Sequence, residues 1–346
     1  MSNNTQLETI RINNIDQINA THRDNTLDIV AGILIIRMIF GHYMVMCHLK
    51  DSILYESLNL LFFYMPWFFY KSGMFCSSNR KNTQQYLISN TKKFIIPYIF
   101  FSVAGTLIAL ITAIPLDKSL LQIILNECRS VIFTGSTNFN GPLWFLLTLF
   151  FVRVSFNYVR NLINHYILIA ILLIIAFAHY LFIANHGIWW LGNFCSGLIF
   201  YILGMKLKDL QYTKNILLLS IVIILAIGII KPTIVTMFGN FLLYDDGIYI
   251  LWYPYSLAGI IVFNNIIKYI GKALKHYNLD DIGQHSMVYY VIHYPLGLLI
   301  CSFYERYSSL PNKWELLVYL CVMWFVLLPL ITYIFNNKSM SKFIGK

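Results

Sequence analysis

Long apolar stretches alternate with short polar and basic stretches along most of the chain. A helix that crosses a membrane needs about 20 predominantly apolar residues. Ten stretches approach that length, and the pattern predicts an all-α, polytopic membrane bundle of about ten transmembrane helices. The predicted spans are 27–48, 53–76, 94–115, 142–160, 165–183, 187–204, 215–237, 248–268, 286–304 and 314–335.

The apolar stretches form one predicted membrane domain, residues 27–336, between two short polar ends. Residues 1–26 are polar and mixed in charge, without the apolar core of a signal peptide, so we predict a cytoplasmic lead-in that is not cleaved. Residues 337–346 are predicted to form a cytoplasmic tail. Residues 119–133 are too short to cross and are polar at the C-terminal end, which indicates an interfacial or re-entrant segment.

Composition agrees with a membrane protein. Of the 346 residues, 58% are hydrophobic and 12% are charged, and the mean hydropathy is +0.65. Soluble domains are roughly 45–50% apolar and about 25% charged.

The net charge of +10 is spread through short loops, so no nucleic-acid partner is predicted. The six cysteines have no metal-ligand spacing and sit mostly in apolar stretches, so neither disulfides nor a metal site is predicted.

The distribution of lysine and arginine predicts the orientation, because cytoplasmic loops are enriched in these residues. With the N-terminus inside, basic residues favour the inner segments by roughly three to one. Both termini are therefore predicted to be cytoplasmic. The few basic residues of the outer segments are Lys50, Lys118, Arg129, Lys231, Arg306 and Lys313.

The first predicted span, "LDIVAGILIIRMIFGHYMVMCH", carries Asp28, Arg37, His42 and His48. An ionisable side chain at the centre of a bilayer costs about 2–3 kcal/mol or more, so it indicates function by default. Neutral imidazole near pH 7 is a suitable general base for a hydroxyl group. His42 is therefore a candidate for chemistry, against the alternative of a buried histidine bonded to a neighbouring helix.

Five short motifs occur in one order along nearly the whole chain. They are "LDIVAG…FGH", "MPWFFYKSGMF" (65–75), "NTKKFIIPY" (90–98), "NGPLWFLLTLF" (140–150) and "SMVYYVIHYPL" (286–296). Together they resemble the acyltransferase family 3 membrane proteins. The resemblance implies an O-acyltransferase that moves an acyl group, usually acetyl, from cytoplasmic acyl-CoA to a sugar hydroxyl at or beyond the outer face.

The resemblance also implies roles for particular residues. His42 would deprotonate the acceptor or carry the acyl group briefly. Asp28 belongs to the same predicted catalytic set, and its alternative role is a favourable interaction with the helix dipole. Lys92, Lys93 and Arg37 would bind the phosphates of acyl-CoA. The alternative role of the two lysines is topological anchoring, and that of Arg37 is an interhelical ion pair. The residues expected at the carbohydrate acceptor are Trp144, Asn140, Tyr289 and His293.

The chain departs from the family at one position. The family carries a basic residue eleven positions before the histidine, and here that position is Ala31. A literal Arg-x10-His runs from Arg37 to His48, but the residues flanking His42 match the family context better. Two other classes stay open at this point: a transporter or flippase for polysaccharide precursors, and an inactive relative that serves as a scaffold among candidate partner proteins of glycan assembly.

Overall fold

The computed structural model describes residues 25–77, 82–113, 119–182, 190–230, 251–308, 312–337 and 340–344. Throughout these ranges the regular secondary structure is helical, apart from one isolated bridge between Thr137 and Asn140, which confirms the all-α prediction. The helices are α1 (Thr26–Met46), α2 (Ile53–Leu58), α3 (Tyr64–Met74), α4 (Thr83–Asn90), α5 (Ile96–Ala113), α6 (Leu120–Thr134), α7 (Trp144–Val159), α8 (His165–Phe182), α9 (Trp190–Leu207), α10 (Lys214–Ile230), α11 (Trp252–Leu274), α12 (Leu279–Gln284), α13 (Ser286–Tyr307) and α14 (Lys313–Asn336).

Seven helices within the described ranges are long and apolar enough to cross a membrane. They are Thr26–Met46, Thr83–Ile111, Gly141–Val159, Trp190–Leu207, Trp252–Leu274, Ser286–Tyr307 and Lys313–Phe335. Two shorter apolar helices, His165–His179 and Lys214–Ile229, coincide with further predicted spans. A multi-pass helical bundle is thus supported, whereas the count of ten and the cytoplasmic termini stay predictions. The lead-in before residue 25 lies outside the described residues.

The predicted span at 53–76 is divided. Helix α2 ends at Leu58, a 3-10 turn follows, and α3 begins only at Tyr64. The Leu58 carbonyl accepts a hydrogen bond from Nε of Arg37, 3.2 Å away. The eleven residues of α3 extend about 16 Å, roughly half of the hydrocarbon thickness. Residues 53–76 are therefore two helical pieces joined by a turn, not one continuous span.

Helix α1 lies at the centre of the bundle and packs against α3, α11, α12 and α13. The most apolar window of α1 has 67% of its residues buried, compared with 19% for α14. A helix that is apolar all round is one that neighbours enclose on every side. The ionisable residues Asp28 and Arg37 of α1 are accordingly buried, and His42 is half-buried.

Helices α3 and α9 approach until their backbones touch, through a reciprocal pair of glycines. A Cβ on Gly73 would overlap the Tyr201 carbonyl, and a Cβ on Gly204 would overlap the Tyr70 carbonyl. Small residues at helix crossings permit such close approach in membrane proteins. This crossing fixes the end of α3 that carries Lys71.

A π-helical turn, Thr91–Ile95, joins α4 to α5. Pro97 has no N–H to offer the Lys93 carbonyl, so the regular bonding pattern cannot continue there. Instead the Ile96 N–H bonds to the Thr91 carbonyl, five residues back. Single π turns inside α-helices are frequent at functional sites, and this one carries the basic pair Lys92 and Lys93.

Candidate active site

A cavity of about 350 Å³ opens between α1, α3, the π turn, α7 and α13. The described residues that line it include three cations and no carboxylate. The polar lining residues are Lys71, Ser72, Lys93, Arg153 and Ser286, and the apolar ones are Ile35, Met65, Phe68, Phe75, Phe94, Phe145, Leu149, Met287 and Tyr290. A positively charged, partly apolar cavity is suited to a ligand with anionic groups and an apolar arm.

Arg153 of α7 is held in the cavity wall by two neutral side chains. Its Nε donates to Oδ1 of Asn90 at 2.7 Å, and its Nη1 donates to Oγ of Ser72 at 2.9 Å. Neither partner neutralises the guanidinium charge, and the described residues place no carboxylate within 4.0 Å of it. Arg153 is therefore oriented and still positively charged toward the cavity.

Lys71 of α3 reaches the first turn of α1. Its Nζ lies 3.3 Å from Oδ1 of Asp28 and 3.2 Å from the Leu27 carbonyl. The Asp28 side chain is buried, so this ion pair ties α1 to α3 at the cavity. Ala31 follows Leu27 by one helical turn and is buried, so the Lys71 ammonium lies close to the stripe of α1 that includes Ala31.

The two lysines of the π turn differ in position. Lys93 lines the cavity, together with the adjacent Phe94. Both lysines are exposed, but Lys92 does not line the cavity. Of the predicted pair, the structure therefore brings only Lys93 to the cavity.

His42 and His293 lie beyond one end of the cavity. On α1, Ile35 lines the cavity, and His42 follows seven residues later, about 10 Å along the axis and within about 20° of the same face. On α13, Tyr290 lines the cavity, and His293 follows one turn later. The two helices run parallel, because Asp28 packs on Gly283 just before α13, whereas Tyr43 packs on Gly297 farther along it. Both helices thus lead from the cavity to the histidine pair.

The two imidazoles are hydrogen-bonded to each other. Nδ1 of His42 lies 2.8 Å from Nε2 of His293, and the ring planes are within 7° of parallel. Nδ1 of His293 lies 2.8 Å from the Tyr290 carbonyl and 3.2 Å from the Tyr289 carbonyl. Tyr294 meets the His42 ring edge-on, with 5.5 Å between ring centroids. A histidine with a fixed partner on one nitrogen can use the other for proton transfer.

Arg37 and His48 lie away from the cavity. The Arg37 guanidinium sits over the Tyr64 ring, 3.9 Å from its centroid, and its Nε donates to the Leu58 carbonyl. His48 is exposed, follows the end of α1 and has a φ of 56°. The structure therefore does not bring Arg37 and His48 together, and Arg37 does not line the cavity.

Asn140 has a structural partner on α13. Pro295 has no N–H, which leaves the Val291 carbonyl without its usual bond four residues on. Nδ2 of Asn140 donates to that carbonyl at 3.0 Å. Oδ1 of Asn140 is buried and has no hydrogen-bond partner among the described residues. Nδ2 of Asn140 thus replaces the hydrogen bond that α13 lacks at Pro295, and Oδ1 remains as a hydrogen-bond acceptor.

The remaining predicted acceptor residues pack into helix contacts. Trp144 is buried at the start of α7, edge-on to Phe145. The Tyr289 hydroxyl accepts a hydrogen bond from Thr332 of α14 at 3.3 Å, and Tyr289 does not line the cavity. Of the four predicted acceptor residues, only His293 directly contacts His42.

Sequence reasoning did not select Lys71 or Arg153 as site residues. A usable signal was present, because both cations lie within apolar stretches, next to Ser72 in one case and after the "NGPLWF" motif in the other.

The family model described as "Acyltransferase domain", that of acyltransferase family 3, matches residues 24–338. Neither a curated protein nor a solved structure matches the chain significantly. The matched region contains the cavity, the ion pair of Lys71 and the histidine pair. The family match covers nearly the whole chain and agrees with its apolar helices. The chain therefore belongs to acyltransferase family 3 and is a multi-pass membrane acyltransferase.

Proposed function

We propose that the protein transfers an acyl group, with acetyl as our expectation, from cytoplasmic acyl-CoA to a hydroxyl of a surface glycan or its lipid-linked precursor. The observation that carries this proposal is the alignment of the cation-lined cavity with the histidine pair along α1 and α13. The positive-inside pattern predicts that the cavity lies at the cytoplasmic end of these helices. We expect this protein in the inner (plasma) membrane of a bacterium, working beside proteins of glycan assembly.

The cavity residues would bind the donor. Arginine and lysine bind phosphate through charge-assisted hydrogen bonds, and Arg153 and Lys93 have no carboxylate within ion-pair distance among the described residues. Apolar side chains such as Phe68 and Met287 would contact the thioester-bearing arm. Lys71 supplies a cation beside Ala31, the position at which relatives carry a basic residue, and Asp28 holds that ammonium in place. Asp28 thus acts through Lys71 in this proposal.

His42 would carry the proton transfer. Its free nitrogen takes the proton of the acceptor hydroxyl while the hydroxyl oxygen attacks the thioester carbonyl. A C–O bond forms, the C–S bond breaks, and the departing thiolate takes the proton back from His42. A relay in which the acyl group first rests on His42 uses the same residues in a different order.

The acceptor would approach from the opposite end. The Asn140 loop lies near the histidines, because a Cβ on Gly141 would lie 3.9 Å from the ring of Tyr294, which contacts His42. The unpartnered Oδ1 of Asn140 can accept a hydrogen bond from a sugar hydroxyl. Trp144 is buried at the same end of α7, and we assign it a supporting role beneath this loop.

Vesicles of both orientations, incubated with radiolabelled acetyl-CoA, test the proposal. The charged donor does not cross the bilayer, so it meets only the face exposed to the medium. We expect label in extracted glycan or lipid-linked sugar from inside-out vesicles, and none from right-side-out vesicles or from inside-out vesicles with His42→Ala. Label only from right-side-out vesicles would mean that acetyl-CoA binds from the outer face. No label in either orientation would favour the inactive scaffold over an acetyltransferase.

A further inference from the structure

Resting on the proposed function, we propose that His293 is a positioning residue that holds His42 in the tautomer able to act as a base. The proposal stands on the contacts of His293 at both ends of its ring. One nitrogen meets backbone carbonyls of its own helix, and the other meets Nδ1 of His42. His293 would thus control the chemistry without touching the substrate.

The hydrogen-bond partners assign the protons in sequence. A carbonyl only accepts, so Nδ1 of His293, 2.8 Å from the Tyr290 carbonyl, carries a proton. In a neutral imidazole the other nitrogen then has a lone pair, so Nε2 of His293 accepts. The proton between the rings therefore belongs to Nδ1 of His42. Nε2 of His42 is left with the lone pair that a general base needs.

The buried surroundings favour a neutral imidazole over a carboxylate as the hydrogen-bond partner of His42. His293 is 1% exposed, and the described residues place no carboxylate within 4.0 Å of either ring. Burying an ionised carboxylate there would carry a large desolvation cost. When His42 gains a proton, its Nδ1–H still donates to His293, and the carbonyls of Tyr289 and Tyr290 lie behind that ring to stabilise the charge. The pair can therefore accept and return a proton without a fixed anion.

The pair is held in place by neighbouring helices. The Tyr43 hydroxyl donates to the His293 carbonyl at 3.4 Å, and Tyr294 packs edge-on against His42. Asn140 stabilises the proline-interrupted turn of α13 that carries His293. These contacts hold the backbone around His293 and the ring of His42. Loss of the acceptor on His293 would therefore leave both tautomers of His42 accessible.

Three substitutions of His293 test the inference. Glutamine places its terminal oxygen near the position of imidazole Nε2 and can still accept from His42. Asparagine reaches only the Nδ1 position, so it keeps the bond to Tyr290 and loses the acceptor. His293→Gln should retain kcat within about tenfold, whereas His293→Asn and His293→Phe should lose about 10²–10⁴-fold in kcat. The KM for acetyl-CoA should change little in all three.

A second readout reports the tautomer without needing activity. ¹⁵N NMR of histidine-labelled protein, with His42→Ala used to assign the signals, should show a proton on Nδ1 of His42 in the wild type and in His293→Gln. His293→Asn and His293→Phe should show mixed tautomers. A proton on Nε2 of His42 in the wild type would overturn the inference, whatever the activities of the variants.

The kinetic outcomes separate the inference from the proposed function. If the wild type transfers acetyl groups and folded His293→Asn matches folded His293→Gln, the positioning role is wrong while the function stands. If the wild type transfers nothing from acetyl-CoA, the proposed function fails, and the NMR result alone decides the tautomer. Variants that do not fold are replaced by the wild-type NMR measurement, which either supports or overturns the inference.

Discussion

Lys92 and Lys93 are neighbours in one π turn, yet only Lys93 lines the cavity. If acyl-CoA phosphates bind there, Lys93→Gln should raise the KM for acetyl-CoA by about tenfold with little change in kcat, because it removes ground-state binding. Lys92→Gln is the matched control and should leave both constants near wild type. Equal effects of the two substitutions on protein yield, with normal KM for each, would mean that both lysines act only as topological anchors.

The bond between Asn140 and the Val291 carbonyl predicts coupling to Pro295. Asn140→Ala leaves a buried carbonyl unsatisfied and should lower the free energy of unfolding by about 1–3 kcal/mol. Pro295→Ala restores an N–H to the helix, so the double variant should lose less stability than Asn140→Ala alone. Thermal unfolding in detergent measures the difference. Strictly additive effects would contradict the account of this bond.

At the residue scale, the sequence predicts the catalytic candidate better than its surroundings. His42 stands out because imidazole is rare and costly inside an apolar span. Its pairing with His293 was not predictable, because the two residues are 251 positions apart and meet only when α1 packs on α13. Arg153 shows the same limit, since its orientation depends on Asn90 and Ser72 from other helices.

At the scale of elements, the close crossing of α3 and α9 positions Lys71 and Ser72. Gly73→Ala would force its Cβ into the Tyr201 carbonyl and should lower the free energy of unfolding by about 1–3 kcal/mol, with reduced transfer. Gly228→Ala is the control, because the nearest atom to its Cβ would be the Tyr255 hydroxyl at 3.9 Å. Tolerance of Gly73→Ala equal to that of Gly228→Ala would contradict the tight crossing.

Apolar length predicts the long helices and fails where single side chains redirect the backbone. The predicted span at 27–48 corresponds to the observed helix Thr26–Met46. The predicted short segment at 119–133 corresponds to the helix Leu120–Thr134, which is too short to cross. The segment at 53–76 has the composition of one span, yet a 3-10 helix and a turn separate α2 from α3, and Nε of Arg37 donates to the Leu58 carbonyl at this break. An apolar pattern does not predict a hydrogen bond between residues of different helices.

At the scale of the molecule, the orientation rests on the positive-inside pattern. Reporter fusions at Lys208 and Lys272 should be cytoplasmic, and a fusion at Lys313 should be external. Lys81 and Asp246, which lie outside the described residues, should report cytoplasmic and external positions respectively. An external reporter at Lys208, between α9 and α10, would break the ten-span arrangement and place the cation-lined cavity on the wrong side for cytoplasmic acyl-CoA.

The central claim is that His42, about two helical turns along α1 from the Ile35 wall of the cation-lined cavity, performs the proton transfer. Acyl transfer by His42→Ala and His48→Ala, each in a protein that inserts normally, tests it most directly. His42→Ala should lose about 10²–10⁴-fold in rate, and His48→Ala should remain near wild type, because His48 is exposed beyond the end of α1. An active His42→Ala beside an inactive His48→Ala would contradict the account and favour the alternative pair of Arg37 and His48.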